Sequence, residues 1–336
     1  MRLSGETMRR REFVIGITAI SVTSLPSTTR ARAAGKVPRI GVLWHAGNEQ
    51  EEAPYLGALR QGFSDFGYVE PKNMVLENRF AAEHYDQFDG LARELVERKV
   101  DVLIAVTRPA AIAAQRATTS IPIVFVLVPD PVATKLVESL ARPGGNITGI
   151  SQLALDLSAK RIQLLKEVVP SISRLALLLN PSDPEMARRS LSETRVAAGQ
   201  LNIAVEPVEA RMPGDLEQVL SSVQDKFDGL VVTSDPMFFN ERVRIAEWAR
   251  AHRCPTMMFN AEMAKVGGLM SYSADIPALF RRAAALTVKI LQGTKPAELP
   301  VELPTKFVLA LNLNTAKSLE LTFPDKLLST TDEVIE

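Results

Sequence analysis

KVDVLIAVTRP, residues 99–109, and KFDGLVVTSDP, residues 226–236, are two copies of one pattern. In each, a lysine and an apolar residue precede an aspartate (Asp101, Asp228). An apolar, β-branched run follows, and a proline stands eight positions beyond the aspartate (Pro109, Pro236). The apolar run reads as a strand buried on both faces. Proline suits the first turn of the helix that comes next, where a missing N–H forfeits no bond. Beyond each helix the next strand again opens on a proline, Pro122 and Pro255. One strand–loop–helix–strand unit therefore occurs twice, about 127 residues apart.

The flanks extend the same alternation. Strands are predicted over 39–44, 74–80, 101–106 and 122–127, with helices over 53–67, 86–98 and from 109 onward. The second half repeats this with strands over 174–179, 203–208, 228–233 and 255–259. Its helices run over 184–200 and up to about 251. Strand and helix in strict alternation imply an α/β fold with parallel sheets covered on both faces. The expected architecture is two similar doubly wound parallel-sheet lobes joined by a hinge, a ligand clamp. Residues 142–151 (RPGGNITGIS) place Gly144, Gly145 and Gly149 near the midpoint, where a first crossover is expected to bend.

Composition narrows the function classes. Thirty-nine Lys+Arg balance 39 Asp+Glu, so the chain has no overall electrostatic pull on nucleic acid, and no nucleic-acid partner is expected. A single cysteine, Cys254, leaves no intrachain disulfide or multi-cysteine metal site. His45, His84 and His252 are scattered, so no metal or cofactor is expected. At the N-terminus, Arg9-Arg10-Arg11 precede an apolar stretch over 13–25 and the small-residue cut Ala31-Arg32-Ala33. That order reads as an export signal over 1–33, and its Arg-Arg-x-Phe-Val string resembles the twin-arginine type. Met8 is an alternative start. With no cysteine near the cut, the expected product is exported, unlipidated and periplasmic.

Enzyme signatures are absent from the sequence: no G-x-G-x-x-G after the first strand, no Walker A, no G-x-S-x-G. Cys254 reads as a buried thiol, and no catalytic residue is assigned. Ligands of open parallel sheets bind beyond the carboxyl ends of the strands. In a clamp those ends converge from both lobes. The candidate ligand-binding residues are Trp44, Thr107, Arg108, Asp130, Asn180, Ser234, Asp235, Asn260 and Tyr272. Thr107 and Arg108 stand at a helix start suited to a ligand carboxylate. Asp130 or Asp235 could receive an ammonium group. Trp44 fits core packing as well as ligand contact, Asp235 fits a helix cap, and Arg108 fits a solvated surface. The leading functional reading is capture of a small molecule, such as an amino acid or other small carboxylate. A two-lobed sensory module, or an enzyme acting on a small carboxylate in the cleft, stays open as an alternative.

Several segments resemble one family. They are 63–68 (FSDFGY), Asp130-Pro131-Val132, 136–149 (LVESLARPGGNITG), 267–272 (GGLMSY), 281–284 (RRAA), 290–307 (ILQGTKPAELPVELPTKF), 309–316 (LALNLNTA) and 332–336 (DEVIE). Together they span nearly the whole mature chain. The sequence is similar to the ABC transporter substrate-binding proteins that include the tryptophan/tyrosine-type members. The resemblance implies a type I periplasmic binding fold with three hinge crossings. Lobe one would comprise 37–149 plus 271–302, and lobe two 150–270 plus 303–336. It also implies a monomer that serves an inner-membrane ABC permease with a separate ATPase. Aromatic amino acids are the ligand class it suggests. Ser273 stands where the family often has glycine and Leu286 where it often has tyrosine; the first of these is expected to adjoin the cleft.

Overall fold

The computed structural model describes residues 37–152, 157–224 and 226–336. The export signal expected over 1–33 lies outside the described residues. No helix among them is long and apolar enough to cross a membrane.

The first half runs β1 (Arg39–Trp44), α1 (Ala53–Ser64), β2 (Val75–Phe80), α2 (Phe88–Glu97), β3 (Val102–Val106), α3 (Arg108–Ala117), β4 (Ile123–Val128) and β5 (Ile147–Ser151). The second runs α4 (Ser158–Val168), β6 (Arg174–Leu179), α5 (Pro184–Gly199), β7 (Ala204–Glu209), α6 (Leu216–Val223), β8 (Gly229–Val232), α7 (Pro236–Asn240), α8 (Arg242–Ala251), β9 (Thr256–Met258), α9 (Ala261–Lys265) and β10 (Met270–Ala274). The chain ends through α10 (Ile276–Leu291), β11 (Phe307–Asn312), α11 (Leu313–Ser318), α12 (Asp325–Leu328) and β12 (Glu333–Ile335).

These strands form two sheets, β2-β1-β3-β4-β5 and β12-β11-β10-β9-β8-β6-β7. The first sheet and the β7-β6-β8-β9-β10 part of the second have the same order, strand for strand. The duplicated pattern thus occupies equivalent places, β3 and β8. The repeated aspartates are structural. Asp101 accepts from the Arg39 amide at 2.8 Å, and Asp228 accepts from the Ser173 and Arg174 amides at 2.7 and 2.9 Å. Each ties the entry of its strand to the neighbouring strand. Pro109 and Pro236 sit in the first turn of α3 and α7.

Within the first sheet every pairing is parallel. The second is mixed, because β11 runs antiparallel to β10 and β12 then lies parallel to β11. The apolar strands are fully buried: β3 and β8 have no exposed residue. Helix α10, downstream of lobe two, packs on α1, β4 and β5 of lobe one. Gly62 of α1 makes this approach possible. A Cβ there would lie 2.8 Å from the Arg281 Cα.

The glycines at the midpoint act differently from the expectation. Gly144 and Gly145 have positive φ (76° and 58°) and shape the turn before β5. Gly149 lies inside β5 against Phe125, where a Cβ would meet the Phe125 carbonyl oxygen at 2.2 Å. None of the three is at a passage between sheets. The chain leaves the first sheet after Ser151 and returns after Ala274, because Ser271–Ala274 keep their pairing with β11. It crosses again beyond Glu302, which still bridges to Ile150.

Candidate functional site

The carboxyl ends of β1 and β3 in one lobe and of β6 and β8 in the other face a shared cleft. In each sheet this is where the strand order reverses, the usual ligand position in such folds. The cleft holds about 830 Å3 of non-atom space, open solvent at its mouth included. Lobe one contributes His45, Tyr55, Tyr85, Thr107, Arg108, Leu127 and Pro129. Lobe two contributes Asn180, Asp183, Met186, Ser190, Thr233, Ser234, Asp235, Phe239, Phe259 and Asn260.

The lobes touch across this cleft. Arg108 at the start of α3 donates from Nε to Asp183 Oδ2 at 2.9 Å and pairs with Oδ1 through a terminal nitrogen. Arg189 lies 3.0 Å from Asp130. The Asn260 amide donates to the Tyr55 hydroxyl at 3.0 Å. Tyr55 stacks on Phe239, with ring centroids 5.0 Å apart, and on Phe280 at 5.3 Å. The Asn240 amide donates to Glu83 Oε1. These contacts bridge the two lobes across the cleft.

Backbone strain gathers on the cleft side of lobe one. Ala82, Glu83, Thr107, Leu127 and Asp130 all have positive φ, 82° at Thr107. Such conformations cost about 1–3 kcal/mol each and persist where the surroundings fix them. The Thr107 hydroxyl is buried, lines the cavity and hydrogen-bonds to no described residue.

Two titratable groups shape the electrostatics. His45 lies between Glu52 (2.9 Å to Nε2) and Glu83 (3.0 Å to Nδ1). Burial alone would lower its pKa. The two glutamates outweigh burial and raise it to about 10, so the imidazole carries its proton at neutral pH. Asp235 is pushed up to about 6, chiefly by burial and then by Glu83. Bonds from Asn180 (3.3 Å) and the Met237 amide (2.9 Å) oppose the rise. Tyr85 reaches Asp235 from lobe one, and its phenol is raised above the ordinary range by burial and then by Asp235.

Of the residues singled out in the sequence, Thr107, Arg108, Asn180, Ser234, Asp235 and Asn260 line the cavity. Asp235 and Asn260 also cap α7 and α9, accepting from Met237 and Met263. Trp44, Asp130 and Tyr272 stand outside it. Trp44 is fully buried in lobe one, stacked on Phe80 and Phe280, with its indole N–H on Asn78. Asp130 is engaged by Arg189 at the rim. The Tyr272 ring lies on Phe307, because β10 continues the second sheet instead of ending at the cleft. Ser273 is buried and donates to the Ala274 carbonyl, and Leu286 is buried in α10; neither lines the cavity. Sequence reasoning did not single out the aromatic wall of Tyr55, Tyr85 and Phe239, nor Glu52 and Glu83. The one signal for Glu52 is its position immediately before a proline-started helix.

Comparison with known proteins adds the following. A family model described as ABC transporter substrate binding protein matches residues 51–335. A tyrosine-binding protein of Clostridioides difficile (strain R20291) is 26% identical over 275 residues, covering 80% of this chain and 79% of the relative. A conserved domain protein from Vibrio cholerae has a similar solved structure, with a TM-score of 0.82, 25% identity, and 89% and 100% of the two chains covered. An ABC domain from Streptococcus pneumonia in complex with L-Trp gives a TM-score of 0.82 at 22% identity with the same coverage.

Proposed function

The chain belongs to the ABC transporter substrate binding protein family, and on that premise we propose that it captures an amino acid, aromatic side chains foremost, for an importer. The expected route is twin-arginine export into the periplasm. A monomeric protein closes its two lobes on the ligand and then docks on an ABC permease driven by a separate ATPase.

The observation that carries the amino-acid reading is Asp235. Burial and the Glu83 charge make the Asp235 carboxylate costly to ionise, and His45, Asn180 and the Met237 amide offset only part of that cost. A ligand ammonium offsets the remainder. The ligand carboxylate is then received by the Thr107 hydroxyl and the amides at the start of α3, a ten-residue helix whose N-terminus opens on the cleft. Tyr55, Tyr85, Phe239 and Phe259 offer the ring surface on which an aromatic side chain packs. Contacts from both lobes exist together only in the closed form, so a ligand that makes them shifts the population toward closure. The relatives that bind tyrosine and tryptophan support the same ligand class.

Titration calorimetry tests the reading with L-tyrosine, L-tryptophan, tyramine and 3-(4-hydroxyphenyl)propanoate. The whole amino acids are expected to bind. Tyramine lacks the carboxylate and the propanoate lacks the ammonium, so both are expected to bind at least about tenfold more weakly. Equal binding of the propanoate and L-tyrosine would remove Asp235 from the role given to it.

A further inference from the structure

We infer that Tyr55 sets the length of ligand that the cleft admits, as the wall between the cleft and a second hollow behind it. This rests on the amino-acid reading and deepens it. Tyr55, Asn260 and Ile276 line both spaces. They come from α1, from the cap of α9 and from α10, so the partition is one residue thick and both lobes contribute to it. The hollow holds about 600 Å3 of non-atom space, open solvent at its mouth included. Its lining is polar where that of the cleft is aromatic. Glu262, Asp275, Asp332 and Glu333 line it together with Lys265 and Lys306. Lys265 pairs with Glu262 at 2.9 Å and Glu333 at 3.0 Å, and Lys306 with Asp275 at 3.1 Å.

The partition is held in place from both lobes. Phe280 of lobe one stacks on the Tyr55 ring with centroids 5.3 Å apart and planes 5° apart, and Phe239 of lobe two at 5.0 Å and 29°. The Asn260 side chain is committed at both ends. Its Oδ1 accepts from the Met263 amide at 3.1 Å, which turns Nδ2 to the Tyr55 hydroxyl at 3.0 Å. Tyr55 and Asn260 are both buried. Swinging the ring aside therefore gives up two stacked contacts and strips a buried amide of its acceptor. Tyr55 is a rigid stop. On the amino-acid reading, the ligand's charged groups lie at Asp235 and the start of α3, and its side chain points at the wall that includes Tyr55. A side chain longer than the cleft runs into this ring. With the ring deleted, the same side chain continues into the hollow. Specificity of this kind is set by a clash against the longer molecule, not by an added contact to the shorter one.

Two probe pairs differ only in length at the tip: L-tyrosine against O-propyl-L-tyrosine, and L-tryptophan against 5-propoxy-L-tryptophan. Titration calorimetry is read on the pair whose parent binds. The wild-type protein is expected to bind the propyl ether at least about 30-fold more weakly than its parent. In Tyr55→Ala that ratio should fall to within about threefold, through a gain in affinity for the ether. A gain separates a wall from a merely structural residue, because a damaged fold weakens both probes. Tyr55→Phe drops the hydroxyl and keeps the ring, so it should exclude the ether as the wild type does. Circular dichroism and the melting temperature verify folding. Tyr55→Leu, with its shorter side chain, provides the readout if the alanine variant does not fold. A smaller ratio in the wild type overturns the inference. So does a folded Tyr55→Ala or Tyr55→Leu with no gain for the ether, which places the limit at another wall. If neither parent binds the wild type, the amino-acid reading itself falls and takes the inference with it. Parent and ether binding alike removes only the wall.

Discussion

Replacing Asp235 by asparagine separates binding from folding. Asparagine caps a helix as well as aspartate does, so the bond from the Met237 amide and the start of α7 are kept. The amide oxygen can still accept from Asn180. What disappears is the charge. In the folded protein the Asp235 pKa rises from 3.8 to about 6, chiefly through burial. A carboxyl whose folded pKa is raised contributes stability below the unfolded value and loses it as pH climbs through the folded one. At pH 7 this shift corresponds to about 3 kcal/mol against the empty closed state. The figure is an upper bound on the effect, since opening the lobes rehydrates the group. Without ligand, Asp235→Asn is therefore expected to be more stable than wild type at pH 7, with the gap closing between about pH 6 and pH 4. Ligand affinity should move the other way. Removing one partner of a buried, hydrogen-bonded charge pair costs about 2–5 kcal/mol, roughly 30-fold or more in Kd. Thermal unfolding from pH 4 to 8, with calorimetry against L-tyrosine at pH 7, measures both signs. Unchanged affinity, or a destabilisation independent of pH, would refute the reasoning.

His45→Gln leaves Glu52 and Glu83 without the cation between them and should destabilise the protein by about 3–5 kcal/mol in denaturant unfolding. The pKa of His45 is raised, so its contribution is complete below pH 6.5 and fades as pH rises toward about 10; the variant should lack that alkaline loss. Arg108→Ala removes the Arg108–Asp183 clamp between lobes. It should shift ligand-saturated protein toward the open form, seen as a larger radius of gyration in solution scattering and a Kd weaker by about 5- to 30-fold; an unchanged radius argues that the pair is incidental. Tyr272→Phe should change affinity less than twofold, because its ring lies on Phe307 outside the cavity. Tyr85→Phe should weaken binding by about tenfold through its lost contact with Asp235. Calorimetry giving the reverse order would put the ligand elsewhere.

The fold was legible because its determinants are local. Apolar runs such as Val102–Val106 are buried strands wherever they sit, and prolines such as Pro109 and Pro236 mark helix starts from either lobe. Strand ends then located Thr107, Arg108, Asn180, Ser234 and Asp235 at the cleft. The readings that shifted depend on tertiary register. Whether Tyr272 meets a ligand depends on where β10 stops pairing with β11, and antiparallel pairing continues two residues beyond it. Gly149 looks like a bend in the sequence, but it answers to a neighbouring strand, namely the Phe125 carbonyl. The His45 cluster joins two loops, His45 and Glu52 between β1 and α1 and Glu83 after β2, and no spacing in the chain announces it. Tyr85 and Phe239 read as ordinary aromatics in the sequence, and only the tertiary fold sets them against Asp235 and Tyr55.

The proposed closure on a ligand also accounts for the charges placed there. Among the described residues, Glu52 and Glu83 flank His45 behind the cleft wall, His45 and Asp235 line the cleft, and Arg108 is engaged by Asp183. On the proposed clamp reading, shutting an empty cleft buries this acidic surplus, and burial raises the pKa of Asp235 accordingly. An ammonium placed against Asp235 reverses that term. A swing of about 3 kcal/mol shifts a two-state equilibrium by about 150-fold. On the amino-acid reading, this one carboxylate therefore makes closure conditional on cargo. The cross-lobe bonds of Asn240, Asn260 and Arg108 then hold shut a clamp that the ligand has neutralised. Such a device favours the empty clamp open and the loaded one closed, the distinction a transporter needs to read.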